Sequence, residues 1–407
     1  MAAQSDDGTS HQRRTLPGAV AFPLVAAAFA VTMLGTTLPT PLYVLYQREL
    51  HFSTLMITVI YAAYAVGVLA ALLLFGRVSD EIGRRRALLP GLFASMLSAV
   101  VFLVTHDHLE LLFTGRVLSG LSAGIFTGTA TAALVDLAGE RGTEHASLVA
   151  TAVNMGGLGS GPLLAGVLAQ VAPAPLHLPY AVDLGLLIAV TVGIWFMPEP
   201  VAVTARRPRL RVTRPGVPPE VRGTFVRAAS AGFAGFAVLG LFTAVAPSFL
   251  GNVLGLHSFA LSGGVVFSVF AASTVGQIVL VPRFGRASLK VGCAGLVVGM
   301  VLLTAGLAVE SFGLLVTAGV LAGLGQGMSF RAGLAAVNAE APADQRASVA
   351  STFFVVIYVA LSVPVVGEGL ATDVVGLRAA GIGFSVAVAV LAGWVLAALV
   401  RAERTAA

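Results

Sequence analysis

Apolar runs long enough to cross a lipid bilayer recur along almost the whole of this chain, and that recurrence decides what it can fold into. A membrane-spanning helix needs about 20 consecutive, mostly apolar residues. Twelve stretches meet the requirement: 20–45, 54–76, 87–105, 109–135, 146–171, 178–197, 226–250, 258–282, 288–309, 311–335, 348–370 and 376–400. Between them little is left to face water. Charged residues are 11% of the chain and hydrophobic residues 57%, whereas a soluble globular chain carries roughly 25% charged residues. The chain is therefore an all-α integral membrane protein with twelve transmembrane helices. Disorder, coiled coils and disulfide-built scaffolds are excluded by the same reasoning. The 47 glycines suit membrane helices. The lone Cys293 can form no intramolecular disulfide and reads as a small buried apolar residue; no metal site and no cofactor is expected. Met1 to Arg14 is polar, and the run from about Val20 to Leu45 is too long for a signal-peptide core, so it is expected to be retained as span 1.

Connections are short except between Met197 and Arg227, a Pro- and Arg-rich stretch that reads as a linker between two halves. The expected organisation is an N-terminal tail (1–19), a six-helix bundle (20–197), the linker (198–225), a second six-helix bundle (226–400) and a C-terminal tail (401–407). Charge fixes the orientation. With the N-terminus cytoplasmic, 20 of the 24 basic residues fall inside, Arg48 and Arg378 fall outside, and Arg116 and Arg331 lie within spans. That asymmetry satisfies the positive-inside rule. Both termini and the linker are expected in the cytoplasm, in a multi-pass protein of the cell (inner) membrane. The basic net charge thus reflects topology and gives no reason to expect a nucleic-acid partner.

The halves repeat. Val117-Leu-Ser-Gly-Leu-Ser-Ala-Gly124 resembles Val320-Leu-Ala-Gly-Leu-Gly-Gln-Gly327, and Ile82-Gly83-Arg84 answers Phe284-Gly285-Arg286. Pro162 to Ala169 likewise matches Pro364 to Ala371, and Ala146-Ser147 matches Ala347-Ser348. All four matches share nearly one offset and the same topological position. Two parallel six-helix repeats of this kind belong to transporters whose site lies between the halves, near the bilayer midplane.

Between spans 2 and 3 stands Gly76-Arg-Val-Ser-Asp80-Glu-Ile-Gly83-Arg84-Arg85-Arg86. It resembles the cytoplasmic signature G-x-x-x-D-[R/K]-x-G-[R/K]-[R/K] of the major facilitator superfamily. The departure is Glu81, where the family usually has a base. Gly76 and Gly83 allow a tight loop; the resemblance implies that Asp80, with Arg84 and Arg85, helps close a cytoplasmic gate. Asp80 is expected either to accept backbone donors at the start of span 11 or to pair with Arg84. In span 4, Gly115-Arg116-Val-Leu-Ser-Gly120-Leu-Ser-Ala-Gly124 resembles the family's second motif. Positions 116, 120 and 124 share one helical stripe, whose glycines permit close helix contact. A membrane-embedded Arg is costly and a functional candidate by default, although Arg116 could instead reach outward to the headgroups.

Span 5 carries Gly156-Gly157-Leu-Gly159-Ser-Gly161-Pro162-Leu-Leu-Ala-Gly166. This is a partial match to the tail of G-x-x-x-G-P-x-x-G-G, the motif associated with the twelve-span drug:proton antiporters in the same superfamily, with Ala165 in place of one glycine and Leu148 at the upstream glycine position. Gly157, Gly161, Pro162 and Gly166 are the candidate helix-bend motif. In span 1, Pro39 and Pro41 should break the helix, and Thr37, Thr40 and Tyr43 are candidates for a cavity wall, with Asn154, Gln326 and Tyr358 elsewhere. Glu368 and Asp183 are the acids placed deepest in the spans and join Arg116 as candidates for proton coupling. Glu368 either carries a proton there or, if span 11 ends sooner, lies solvated beside Asp373 and Arg378.

Enzymatic readings do not survive. Gly120-Leu-Ser122-Ala-Gly124 fits the hydrolase elbow G-x-S-x-G, but that chemistry needs a strand–turn–helix context, absent mid-span. There is no H-E-x-x-H and no Walker lysine. The resemblance implies a secondary transporter working as a monomer by alternating access: proton-coupled export of a small hydrophobic organic compound or drug. The alternative is proton symport of a sugar or other small metabolite.

Overall fold

The computed structural model describes residues 18–75, 78–105, 108–139, 142–201, 216–343 and 345–406. Gly76, residues 1–17 and linker residues 202–215 lie outside them, with Arg13, Arg14, Arg77, Arg141 and the arginines from Arg206 to Arg214. Among the described residues every regular element is helical. Eleven stretches are long and apolar enough to cross a membrane; one of them, Phe259–Ala308, is two spans joined by the 3-10 turn Gly285–Ala287, which makes twelve.

In chain order these are span 1 (Gly18–Thr37, resuming as Tyr43–Leu50), span 2 (Thr54–Phe75), span 3 (Arg84–Leu103), span 4 (Leu109–Leu137), span 5 (Gly142–Val171) and span 6 (Leu178–Trp195). The second half holds span 7 (Arg222–Ala244, then Ala246–Asn252), span 8 (Phe259–Val275, a π turn Gly276–Leu280, then Val281–Phe284) and span 9 (Ser288–Ala308). Span 10 (Phe312–Glu340), span 11 (Arg346–Val375) and span 12 (Leu377–Ala406) complete it. Within span 1 the helix breaks where the prolines are expected to break it: it stops at Thr37, because Pro39 and Pro41 supply no N–H to continue the ladder, and resumes at Tyr43. Several expected boundaries move. Span 7 begins inside the expected linker, and span 12 runs through the expected 401–407 tail to Ala406. Hydropathy marks where lipid ends, not where backbone hydrogen bonding ends.

The packing repeats with the sequence. Span 1 packs on 4, 5 and 6, span 2 on 4, and span 3 on 4 and 6; span 7 packs on 10, 11 and 12, span 8 on 10, and span 9 on 10 and 12. The halves meet chiefly through spans 5 and 8 and through spans 2 and 11. Glycine spacing explains the tightest contacts. A Cβ at Gly120 or Gly124 would run into the span 2 backbone at Tyr64 and Val68, and one at Gly323 or Gly327 into span 8 at Val269 and Ser273. The outer face of the bundle is apolar: Val66, Phe93, Val363, Val390 and Trp394 are all more than half exposed, as a lipid-facing surface allows.

Candidate functional site

Consecutive spans alternate in direction, so the bundle has a basic end, carrying Arg84–Arg86, Arg283 and Arg286, and an opposite end. At the opposite end the halves touch closely. Thr243 on span 7 donates to the Tyr61 hydroxyl on span 2 at 2.7 Å. Gln170 at the end of span 5 accepts from the Phe259 amide at 3.0 Å and the Ser258 hydroxyl at 3.2 Å. Gly166 lies against the Phe259 carbonyl and Gly263 against that of Pro162, while Gly369 lies against Thr58. Below this seal a cavity of about 260 Å³ opens between the halves. It extends to Ser147 and Phe354, near the basic-end starts of spans 5 and 11. The arrangement is closed at the opposite end and open towards the basic end.

The Arg116 side chain lies at the closed part of this cavity. The glycine stripe sets its direction: Gly120 and Gly124 face span 2, so Arg116, one turn earlier, faces Tyr61 and Tyr64. Its guanidinium carbon lies 4.7 Å from the Tyr64 ring centroid and 5.6 Å from that of Tyr61, a cation–π arrangement. Nη1 donates to the Thr36 carbonyl. That carbonyl is at the end of the helical ladder broken by Pro39 and Pro41, so the break supplies the acceptor. Arg116 is 2% exposed, and its Nε has no partner. It does not reach outward to the surface.

A third proline frees a carbonyl directly. Pro162 has no N–H for the Leu158 carbonyl four residues earlier, and the Thr37 hydroxyl donates to that carbonyl at 2.7 Å. Gly157 and Gly161 face the span 1 backbone at Ala30 and Leu34, whereas Gly166 faces span 8. The candidate helix-bend residues therefore form packing surfaces on two neighbours. Of the cavity candidates, Thr37, Asn154 and Tyr358 line the space, joined by Thr36, Tyr61, Tyr64, Gln277, Phe270, Phe330 and Phe354. Thr40, Tyr43 and Gln326 do not: all three are buried behind the wall. Thr40 and Tyr43 follow the proline break, which turns them into the bundle. Gln326 accepts from Ser273 at 2.5 Å, behind span 8. Gln277 is on the π turn of span 8, and its carbonyl accepts from Arg331 Nη1 at 2.7 Å. Each half thus has an Arg bound to a carbonyl at an irregular turn.

The two buried acids lie apart from the cavity and from each other. Asp183 packs against span 1, where a Cβ on Gly35 would come 2.7 Å from its Oδ2; its Oδ1 has no partner. Glu368 is 3% exposed and not solvated beside Asp373 and Arg378. It lines a small apolar pocket with Phe242, Phe249, Leu303 and Leu377, inside the second half. Its Oε2 is unpartnered, and Thr372 donates to Oε1 at 3.4 Å. Neither acid has an ion-pair partner among the described residues.

At the basic end, Asp80 pairs with Arg84 Nη1 at 2.5 Å and not with span 11. Arg84 also binds Asp136 at 2.7 Å and Ser79 at 2.8 Å. Gly83, at φ +98°, adopts a conformation natural only for glycine and leaves room for the Glu199 carboxylate. Glu199 accepts from the backbone amides of Arg84 at 2.5 Å and Arg85 at 3.2 Å, so it caps span 3 at the positive end of its dipole. The Arg85 side chain donates to the Met197 carbonyl at 3.1 Å. Sequence reasoning missed Glu199, Tyr61 and Tyr64. The tyrosines left a signal, a pair spaced i, i+3 in the middle of an apolar span; Glu199 left none.

The sequence model of the family described as Major Facilitator Superfamily matches residues 25–363. Similar proteins include "Multidrug resistance protein 2" of Bacillus subtilis (strain 168), 25% identical over 191 residues, or 46% of each chain. "Riboflavin transporter RibZ" of Clostridioides difficile (strain 630) is 27% identical over 141 residues, 34% of this chain and 30% of that protein. These matches span less than half of either relative's length. Among solved structures, a bacterial homolog of the human lysosomal transporter Spinster, inward-facing and unoccupied, superposes with TM-score 0.74 at 13% identity, covering 94% of this chain and 96% of that one. The human organic anion transporter MFSD10 (TETRAN) gives 0.67 at 18% identity, covering 94% and 100%. At such identities the likeness is one of fold.

Proposed function

Since this chain belongs to the Major Facilitator Superfamily and is a multi-pass membrane transporter, not an enzyme, we propose that it exports small, largely apolar organic compounds in exchange for protons. The observation that carries the reading is the cavity between the halves. Aromatic rings form much of its wall, and among the described residues no carboxylate lines it. Sugar sites commonly use acidic groups as strong acceptors, and none lines this cavity among the described residues, so symport of a sugar is the weaker reading. In this proposal the basic end is cytoplasmic, the transporter sits in the cell membrane, and the present arrangement is the one that loads from the cytoplasm. The limited likeness to a multidrug resistance protein supports the same direction.

Two carboxylates buried without cations support proton coupling, because a lone buried charge costs far more than its neutral form and so favours taking up a proton. Asp183 is the first candidate. It touches Gly35, the residue before Thr36, so a change in its charge acts on the segment of span 1 that holds Arg116. Glu368 is the second, acting within the other half. The test is flux in proteoliposomes under an imposed pH gradient, using compounds first selected by thermal shift on the purified protein. Gradient-driven export is expected, with Asp183→Asn abolishing it while leaving substrate binding intact. Flux indifferent to the pH gradient would overturn proton coupling, and unchanged gradient-driven flux in both Asp183→Asn and Glu368→Gln would remove these acids from it.

A further inference from the structure

The Arg116 guanidinium combines three properties that pull in different directions. It is 2% exposed, it lines the cavity, and no carboxylate lies within ion-pair distance of it among the described residues. Two tyrosine faces and one carbonyl satisfy it only in part, and Nε is left unpartnered. Nor can the buried acids supply the counter-charge. Asp183 packs against Gly35 of span 1, and Glu368 lies in the apolar pocket of the second half. The cavity wall therefore carries one permanent cation and, among its described residues, no anion. A buried cation without an anion is an expensive arrangement, and it persists here beside an open space.

We infer that the transported compound is an organic monoanion, with a carboxylate or similar planar oxyanion seated on Arg116 and an aromatic or branched apolar body extending towards the basic end. The geometry supports both parts. Guanidinium offers a planar fork that matches a carboxylate, unlike a point charge. Beyond it apolar surface predominates, with Phe236, Phe270, Phe330, Phe354 and Leu361 on the wall towards the opening, interleaved with uncharged polar groups such as Thr131, Thr151 and Asn154. Tyr64 and Tyr358, from opposite halves, have ring centroids 6.4 Å apart and flank the passage between the two regions. A cationic compound would meet Arg116 as a like charge, and a neutral one would leave it uncompensated. The inference deepens the export reading, since it rests on the cavity being the transport site, but it can fail independently of proton coupling.

Equilibrium binding separates the two. The purified full-length protein, at fixed salt, is titrated with three probes of one shape: 2-naphthoate, 2-naphthamide and 2-naphthylmethylammonium. A thermal-shift panel of one- to three-ring aromatic carboxylates, with their amides, accompanies the titrations. The carboxylate is expected to bind about tenfold tighter than the amide or better, the scale of a charge-assisted hydrogen bond, with the ammonium weakest. Arg116→Gln should bring acid and amide to parity while the amide affinity stays near wild type; Arg116→Lys should retain part of the preference. If Arg116→Gln does not fold, the comparison of acid and amide on the wild type decides by itself. Equal binding of the three probes, preference for the cation, a preference that survives in folded Arg116→Gln, or a panel in which no carboxylate stabilises the protein would each overturn the inference. Carboxylate preference without gradient-driven flux would leave it standing and sink proton-coupled export. Gradient-driven flux of neutral compounds without charge preference would do the reverse.

Discussion

Pro39 and Pro41 break span 1 and Pro162 removes a backbone donor from span 5, and carbonyls left free near these points are taken up by particular side chains. Arg116 occupies the Thr36 carbonyl, and Thr37 occupies that of Leu158. These pairings link positions 80 and 121 residues apart, so the sequence shows the break and not the side chain that answers it. Thr37→Val keeps the shape but leaves the Leu158 carbonyl without its side-chain partner. It should cost about 1–3 kcal/mol, read as a lowered Tm, whereas Thr37→Ser should hold near wild type. Equal Tm in Val and Ser variants would mean that water replaces the hydroxyl. At the other extreme of exposure, Asp80 pairs with Arg84 but its side chain is 62% exposed. Because Arg84 keeps Asp136 and Ser79, Asp80→Asn should change stability by only ~0–1 kcal/mol. If Asp80 serves the gate when the basic end closes, the same variant should slow transport several-fold at unchanged expression. Undiminished transport would reduce it to a loop ion pair.

At the scale of elements, the existence of each span could be read from apolar length alone, and the ends could not. Span 12 continues past its last apolar stretch through Arg401 and Arg404, because a helix satisfies its own backbone in water as well as in lipid. The role of the glycines was half legible. Four-residue spacing announced close contacts, while the partner of each glycine required the fold: span 2 for Gly120, span 1 for Gly161, span 8 for Gly166. The contact between Gly263 and Pro162 offers a handle on alternating access. It lies where spans 5 and 8 close the opposite end, so a side chain at 263 should penalise this arrangement. Gly263→Val should shift the population towards opening at that end. The readout is the labelling rate of Asn154→Cys, a cavity position, in a Cys293→Ala background: it should rise for a reagent added at the opposite end and fall for one added at the basic end. Rates unchanged from the parent would show that spans 5 and 8 accommodate the methyls by sliding, and that their tight crossing does not govern the seal.

For the molecule as a whole, the repeat was the most informative sequence signal, because it fixed which spans must correspond before any contact was known. Span 1 packs on 4, 5 and 6 as span 7 packs on 10, 11 and 12, and Gly83 and Gly285 share a positive φ in matching turns. What the repeat could not disclose is where the halves differ. Arg116 has Gly319 as its counterpart and Glu368 has Gly166, so the charged groups belong to one half each. In the proposed mechanism this asymmetric charge set in a symmetric frame would let one half bind while the other responds, and its use depends on which end faces the cytoplasm. The distribution of basic residues is the reason for proposing that the basic end is cytoplasmic: a bilayer with an acidic inner surface and an inside-negative potential retains arginine clusters on that side. Cysteine labelling in sealed cells tests it at two exposed turns, again in the Cys293→Ala background. Ala174→Cys, between spans 5 and 6 at the opposite end, should react with a membrane-impermeant maleimide added outside. Glu144→Cys, at the basic-end start of span 5, should react only after the cells are opened. Reaction of Glu144→Cys in sealed cells would invert the molecule in the membrane, and with it the proposed direction of loading.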